Sequence, residues 1–343
     1  MAKSPDKNTI LAIRFSAMGD VAMTIPVMKQ LLDAHPELVI VFVTNKNWGA
    51  LCEGIPRLVF FPADLKGAHK GLKGLYRLFR AIRKAHPGIS AVADLHHVLR
   101  SRIVRTFYKL SGIPVSAIDK GRAGKKALTR KENKEFKPLK TTIDRYRDVF
   151  AGLGYTINQA LPGTLPQQPV AGKKQIGIAP FATYLEKTYP LEKMQQVIAQ
   201  ILREEDVEIL LFGGGKEEVT KLETLAAGDA RLKVVAGKYS LNEELRIISG
   251  LSLMVSMDSA NMHLASLYGV PVVSVWGATH PYAGFMGFGQ KEENAVQIDL
   301  YCRPCSVFGN KPCFRGDHAC MQQLAPELIV EKVRKTLAER ALA

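Results

Sequence analysis

The chain has 343 residues, 47% of them apolar and 23% charged, with a formal net charge of +15. It is too long for one ordinary core and too apolar for a disordered chain, so two units of roughly 150 to 170 residues are expected. The polar start, MAKSPDKN, offers no secretory leader, and no run approaches the ~20 apolar residues of a spanning helix; a soluble, cytoplasmic protein is expected.

The first element is the strand-like ILAIRF, which runs into the small-residue turn Ser16-Ala17-Met18-Gly19-Asp20. From about Val21 to Leu32 the apolar spacing becomes helical, with Pro26 early enough to be tolerated. Asp20 then sits near a helix N-terminus, where free amides favour a carboxylate; by itself it reads equally as a cap. Strands follow at 38–45, 57–63 and 89–97, an amphipathic helix at 75–86 and a further helix at 141–152. Alternation of β-branched runs with helices is the pattern of a parallel sheet covered on both faces. Residues 1–160 thus form one unit, and the Pro- and Gly-rich 161–174 reads as a linker.

Residues 175–343 repeat the scheme. Strands are expected at 175–181, 208–215, 251–259 and 271–277, and helices at 190–205, 242–250 and 260–269. Ligands of open α/β sheets bind beyond the C-terminal strand ends. There stand Thr183 and Lys187, Gly213 to Gly215, Asp258 and Ser259, and Gly277 and Thr279. Glycines admit a ligand close to the backbone, a helix start offers amides to phosphate, and Lys187 offers a point charge. His263, five residues after Asp258, is a candidate for the same phosphates. Trp276 reads as a core residue. Neither a Gly-x4-Gly-Lys-Ser/Thr loop, nor Gly-x-Gly-x-x-Gly after the first strand, nor a Gly-x-Ser-x-Gly elbow is present, which argues against the ATPases, nicotinamide dehydrogenases and α/β-hydrolases built on them.

Together FSAMGDVAMTIPVMKQL, AVADLHHVLRS, FATYLEKTYP, VSMDSANMHLASLYGVPVVSVWGATHP and the cysteine-bearing tail resemble glycosyltransferase family 9, the lipopolysaccharide heptosyltransferase family. The resemblance implies a GT-B α/β architecture, two Rossmann-like domains whose parallel sheets face across a cleft, with the acceptor on the first and the nucleotide sugar on the second. It implies inverting, metal-independent transfer of heptose from ADP-heptose to a lipid-linked saccharide, with no catalytic cofactor. The alternatives are a UDP- or GDP-sugar donor, or a sugar-nucleotide epimerase. Asp20 matches the family's catalytic base. Thr183, Lys187, Gly214, Asp258, Ser259, His263, Gly277 and Thr279 fall on the donor side, and Gly19, Asp94, His96 and Arg100 on the acceptor side. His280 and Lys216 stand where relatives often carry acidic residues.

Cys302, Cys305, Cys313 and Cys320, spaced C-x2-C-x7-C-x6-C, suggest either a structural zinc knuckle or free thiols. Charge is uneven: residues 1–170 carry 28 Lys and Arg against 12 Asp and Glu. The densest run, 120–147, is expected to meet an anionic membrane or glycolipid at the inner-membrane face, through Lys125, Lys126, Arg130 and Lys131. No nucleic-acid-binding motif accompanies it, so no nucleic-acid partner is expected.

Overall fold

In the computed structural model, which describes residues 8–157, 162–168 and 172–341, the chain divides into two compact units. The first comprises residues 1–120 and 142–163, the second 121–141 and 164–343.

The sheet of the first unit is made of β1 (Thr9–Ile13), β2 (Val39–Asn45), β3 (Leu58–Ala63), β4 (Ile89–Asp94) and β5 (Val115–Ala117). They are all parallel, in the order β3-β2-β1-β4-β5. In chain order the helices are α1 (Met18–Ala22), α2 (Thr24–Ala34), α3 (Gly71–Ala85), α4 (Leu99–Leu110), α5 (Arg122–Thr129) and α6 (Thr142–Ala151), of which α5 belongs to the second unit. Ile10 to Ile13 of β1 are fully buried, as a central parallel strand requires. The helix expected from Val21 to Leu32 is two helices parted at Met23. Pro26 has no N–H for the Ala22 carbonyl, so the ladder breaks there. α3 turns Leu75, Leu78 and Ile82 inward, the i, i+3, i+7 stripe that places it on the sheet.

The second unit contains β6 (Lys174–Ala179), β7 (Val207–Leu211), β8 (Leu232–Val234), β9 (Leu253–Met257), β10 (Val272–Val275) and β11 (Ala295–Val296). Their order is β11-β10-β9-β6-β7-β8, again all parallel. The helices are α7 (Leu191–Glu204), α8 (Gly215–Ala226), α9 (Leu241–Ser249), α10 (Ala260–Leu267), α11 (Ala319–Gln322) and α12 (Pro326–Ala341). Trp276 is fully buried, its indole N–H donating to Ser274 Oγ at 2.8 Å, a core role as expected.

One expectation is corrected. Residues 121–141, read as part of the first unit, pack in the second. Leu139 N–H donates to the Tyr282 carbonyl at 2.9 Å, and Lys134 Nζ to the carbonyls of Cys302 and Pro304 at 2.8 and 3.0 Å. The charge asymmetry therefore shrinks: the first unit carries 20 Lys and Arg against 10 Asp and Glu, the second 27 against 22. The described part of the linker also belongs to the second unit from Thr164 onward, where Leu165 N–H donates to Leu267 O; residues 161 and 169–171 lie outside the described residues.

Candidate functional site

In each sheet the strand order reverses once, between β1 and β4 in the first unit and between β6 and β9 in the second. A crevice opens beyond the C-terminal strand ends at such a switch point. The polar residues singled out from sequence collect at these two places.

In the first unit, β1 and β4 are joined past their ends by Arg14, which donates to the Leu95 carbonyl at 2.8 Å and pairs with Asp20. Asp20, the third residue of α1, turns its carboxylate back to the Ala17 N–H at 3.3 Å, satisfying one of the amides a helix start leaves open. Both contacts fall on Oδ2. Among the described residues Oδ1 accepts no hydrogen bond, which makes it the oxygen available for a proton. The side chain keeps about a quarter of its surface exposed, whereas Arg14 is nearly buried. Burial opposes the Arg14 charge, but Tyr146, Asp20 and Asp94 outweigh it and raise its pKa above the ordinary value. The Tyr146 hydroxyl donates to the Asp20 carbonyl at 3.3 Å, so α6 also holds this turn. Gly19 is buried beside it in α1.

Asp94 was expected to touch the acceptor; it is fully buried. Its Oδ1 accepts from the amides of His96 and His97 at 3.0 and 2.7 Å, and its Oδ2 pairs with Arg105 at 3.2 Å. A carboxylate so enclosed positions the histidine turn and does not reach a ligand. Within that turn His97 adopts φ +49°, and its Nδ1 lies 2.9 Å from the Ile118 carbonyl. His96 Nδ1 accepts from the Phe15 N–H at 3.3 Å, which leaves the proton of the neutral ring on Nε2. Burial first, then Arg14 and Lys120, press its pKa down to about 3. Arg100, at the start of α4, is exposed.

In the second unit Lys187 ends a short 3-10 helix after β6, and Asp258 follows β9. Lys187 Nζ donates to the Asp258 carbonyl at 2.6 Å and to its Oδ2 at 3.3 Å. Two of the three ammonium protons are thereby used. The lysine stem lies so close to Gly309 that a Cβ there would come within 2.4 Å of Lys187 Cγ. Ser259 precedes α10 in an extended conformation, with its Oγ 3.1 Å from Ser256 Oγ and no bond to the helix amides, and His263 is buried within that helix. Thr183 is exposed in the loop after β6. Thr279 is almost fully buried, and its hydroxyl has no hydrogen-bond partner among the described residues.

Two glycines expected at the donor have other reasons to be glycine or other occupants. A Cβ on Gly277 would stand 2.8 Å from the Glu186 carbonyl and 2.6 Å from Met321 Cε, so its bareness lets the Lys187 loop close on β10. The Gly214 N–H donates to Glu218 Oε2 at 2.7 Å. A carboxylate already answers that helix start, so the loop suits a neutral group better than a phosphate. Sequence reasoning overlooked Arg303. It is buried, and its guanidinium binds the carbonyls of Trp276, Gly277, Thr279 and Ile298 and the side chain of Gln297. It shapes the whole loop after β10.

Cys302, Cys305, Cys313 and Cys320 are all unpaired by disulfide. With His318 and Arg315 they line one cavity of about 10 Å³. Burial pushes the Cys320 thiol up to about 11, and burial with the neighbouring Cys302 and Cys313 raises Cys305. Among the described residues no three His, Cys, Asp or Glu side chains are arranged to hold a metal ion. The thiols are the right chemistry for zinc, but their present placement does not form a ligand set.

His96 and His280 give the fold an acid sensitivity. His280 accepts from the Tyr282 N–H at 3.1 Å and packs edge-on against Phe136 and Tyr282; burial and Arg303 lower its pKa to about 4. Both rings bind protons near pH 6.5 when unfolded and only near 3 to 4 when folded. Between those values the unfolded chain holds more protons, so stability must fall as pH drops from 6.5 toward 4, by on the order of 1–3 kcal/mol per group. Urea unfolding at pH 7 and pH 4.5 measures it. His96→Asn, whose amide oxygen can still accept from Phe15, should lose part of the pH dependence; an unchanged dependence would remove His96 from this role.

Two Rossmann-like units, each with its polar residues at the switch point of a parallel sheet, define the GT-B class of protein. The sequence model of glycosyltransferase family 9 (heptosyltransferase) matches residues 76–312, well over half of the chain, and the chain belongs to that family. The match begins after Asp20. A lipooligosaccharide heptosyltransferase 2 of Campylobacter jejuni serotype O:6 is 27% identical over 169 residues, 48% of this chain and 52% of that relative. That match spans about half the length of the curated relative. Over nearly the whole chain the fold is similar to a family 9 glycosyl transferase of Veillonella parvula (TM-score 0.75, 19% identity, covering 99% of this chain and 100% of that one). It is also similar to the Escherichia coli heptosyltransferase WaaC with ADP (TM-score 0.70, 20% identity, 96% and 99% covered).

Proposed function

We propose that the protein is an inverting, metal-independent glycosyltransferase that moves a heptose from ADP-heptose to an anionic, lipid-linked saccharide at a membrane surface. The observation that carries this reading is that each unit holds its own polar group at its switch point, the part-exposed carboxylate of Asp20 in the first and the Lys187–Asp258 ion pair in the second. Inversion needs a base for the acceptor hydroxyl as it attacks the anomeric carbon, and Asp20, with its unbonded Oδ1, is that base in this reading. Asp94, through the His96–His97 turn, holds the acceptor side in shape, and His96 Nε2–H is a neutral donor there. The departing diphosphate needs positive charge and N–H or O–H donors, which the third Lys187 proton, the first amides of α10 and the unpartnered Thr279 hydroxyl supply. ADP enters the proposal from the solved WaaC complex named above.

The four cysteines are free thiols outside the transfer chemistry in this proposal, so excess chelator should leave both the melting temperature and turnover unchanged.

The decisive experiment is a nucleotide-sugar panel. ADP is expected to bind more tightly than UDP or GDP, and ADP-heptose to be consumed in excess chelator. Preference for UDP or GDP would favour a different donor or an epimerase, and loss of turnover in chelator with the fold intact would require a catalytic metal.

A further inference from the structure

Residues 65–118 hold eleven Lys and Arg and a single acidic residue, Asp94. Asp94 is buried against Arg105, the one cation of this segment that makes an ion pair among the described residues. Lys73, Arg77 and Arg80 of α3 and Arg102 and Lys109 of α4 are exposed. The cations of 121–141, which looked the stronger surface in sequence, are differently placed. Lys125 is nearly buried with its Nζ 4.2 Å from the centre of the Phe285 ring, Arg130 and Lys137 pair with Glu135, and Lys134 is bonded to backbone carbonyls. Those charges help to hold the second unit together. Of the charges on α3 and α4, only Arg105 makes an ion pair among the described residues.

The same face carries apolar side chains that the core does not use. Leu75, Leu78 and Ile82 fix the inner side of α3, while Leu72 is 64% and Tyr76 47% exposed on the outside, and Leu110 at the end of α4 is 80% exposed. Tyr76 packs edge-on against Phe107 at 5.5 Å, and Phe107 against Phe79 at 5.3 Å. Tyr76 and Phe107 line a groove of about 710 Å³ together with Leu72, Lys73 and Arg77. Exposed leucines beside an aromatic, ringed by cations and free of carboxylates, suit the interface of an anionic bilayer: the apolar groups enter the acyl boundary while the cations meet headgroup phosphates. A nucleic acid would use the charge but not the leucines.

We propose that the outer face of α3 and α4, centred on Leu72, Lys73, Tyr76 and Arg77, docks on an anionic lipid bilayer. In a parallel α/β unit each helix begins at the end where the preceding strand finishes, so Leu72 and Arg100 lie at the end of the unit that carries Asp20. The proposal deepens the functional reading above, on which it rests only for the lipid nature of the acceptor.

The test is co-sedimentation of the full chain at low salt with vesicles of phosphatidylcholine alone or with equimolar phosphatidylglycerol. The unmodified protein is expected to pellet with the anionic vesicles and to stay in solution with the neutral ones. Lys73→Glu with Arg77→Glu and Arg80→Glu should weaken anionic-vesicle binding by roughly tenfold or more, since each charge near such a surface counts several-fold. Lys126→Glu with Arg130→Glu and Lys131→Glu should stay within about twofold of the unmodified protein. Leu72→Ser with Tyr76→Ser should remove the binding that survives added salt, which screens charge but not apolar insertion. The proposal is overturned if the unmodified protein pellets with neither lipid, as a nucleic-acid or protein surface would behave, or if the α3 reversal binds as well as the parent. ADP binding measured on the same proteins separates the two readings: its absence in the unmodified protein sinks the donor assignment and leaves the vesicle result standing.

Discussion

Asp20→Asn is expected to lower sugar transfer by about 100-fold or more while nucleotide binding stays near normal. The amide is isosteric, and its oxygen can take over the two contacts now made by Oδ2, to the Ala17 N–H and to Arg14. What it cannot do is accept a proton in place of Oδ1. Arg14 complicates the experiment, because it is nearly buried and loses an anionic partner. A stability loss of about 1–3 kcal/mol should accompany the substitution, so rates belong at a temperature well below unfolding. Asp20→Glu keeps the charge but moves the carboxylate by the length of one more methylene, and a displacement of about 1 Å can itself cost on the order of 100-fold. If Asp20→Asn turned over nearly as fast as the parent with its fold intact, the base would have to lie elsewhere.

Strand positions were legible because parallel strands buried on both faces are runs of Val, Ile and Leu. The expected segments at 38–45, 57–63 and 271–277 contain β2, β3 and β10. β5 and β8 escaped notice: each has three residues and sits at a sheet edge, too short and too exposed to leave a pattern. α4 and α8 were missed because their outer faces are dense in charge and their apolar stripes are narrow. The 121–141 segment failed for a different reason. Its anchors, Tyr282, Phe285 and the carbonyls of Cys302 and Pro304, lie 140 or more residues away, and neighbourhood along the chain says nothing of them.

The site divides in the same way. Asp20, Lys187 and Asp258 could be picked out because a polar residue just past an apolar strand stands at the ligand end of the sheet. Arg14 was in plain view as a cation inside ILAIRF. Its meaning depends on β4 lying beside β1, which brings the Leu95 carbonyl and the Asp20 turn to one guanidinium. Asp94 shows the reverse error. It occupies a strand end like the others, yet its carboxylate is fully buried, with Oδ1 bonded to two amides and Oδ2 3.2 Å from Arg105. Position at a strand end nominates a residue; what its polar atoms already bind decides what it can offer a ligand.

Lys187→Ala is expected to weaken ADP binding much more than adenosine binding and to cut turnover by about 100- to 1,000-fold, the scale of losing one donor to a developing anion. Lys187 carries two jobs that have to be told apart. Its stem supports Gly309 and its ammonium holds Asp258, so removal could act by loosening the loops, in which case both ligands would weaken alike. Removal also leaves the Asp258 carboxylate without its cation, and that charge would then repel a diphosphate. The double variant Lys187→Ala with Asp258→Asn removes this repulsion and should recover part of the ADP affinity lost in the single variant, a non-additivity expected of groups in contact. Lys187→Arg should rescue poorly, because a planar fork cannot follow the narrow path under Gly309 that an unbranched ammonium takes. Equal losses for ADP and adenosine, with no recovery in the double variant, would reduce Lys187 to a tether and leave the diphosphate to the α10 amides and Thr279.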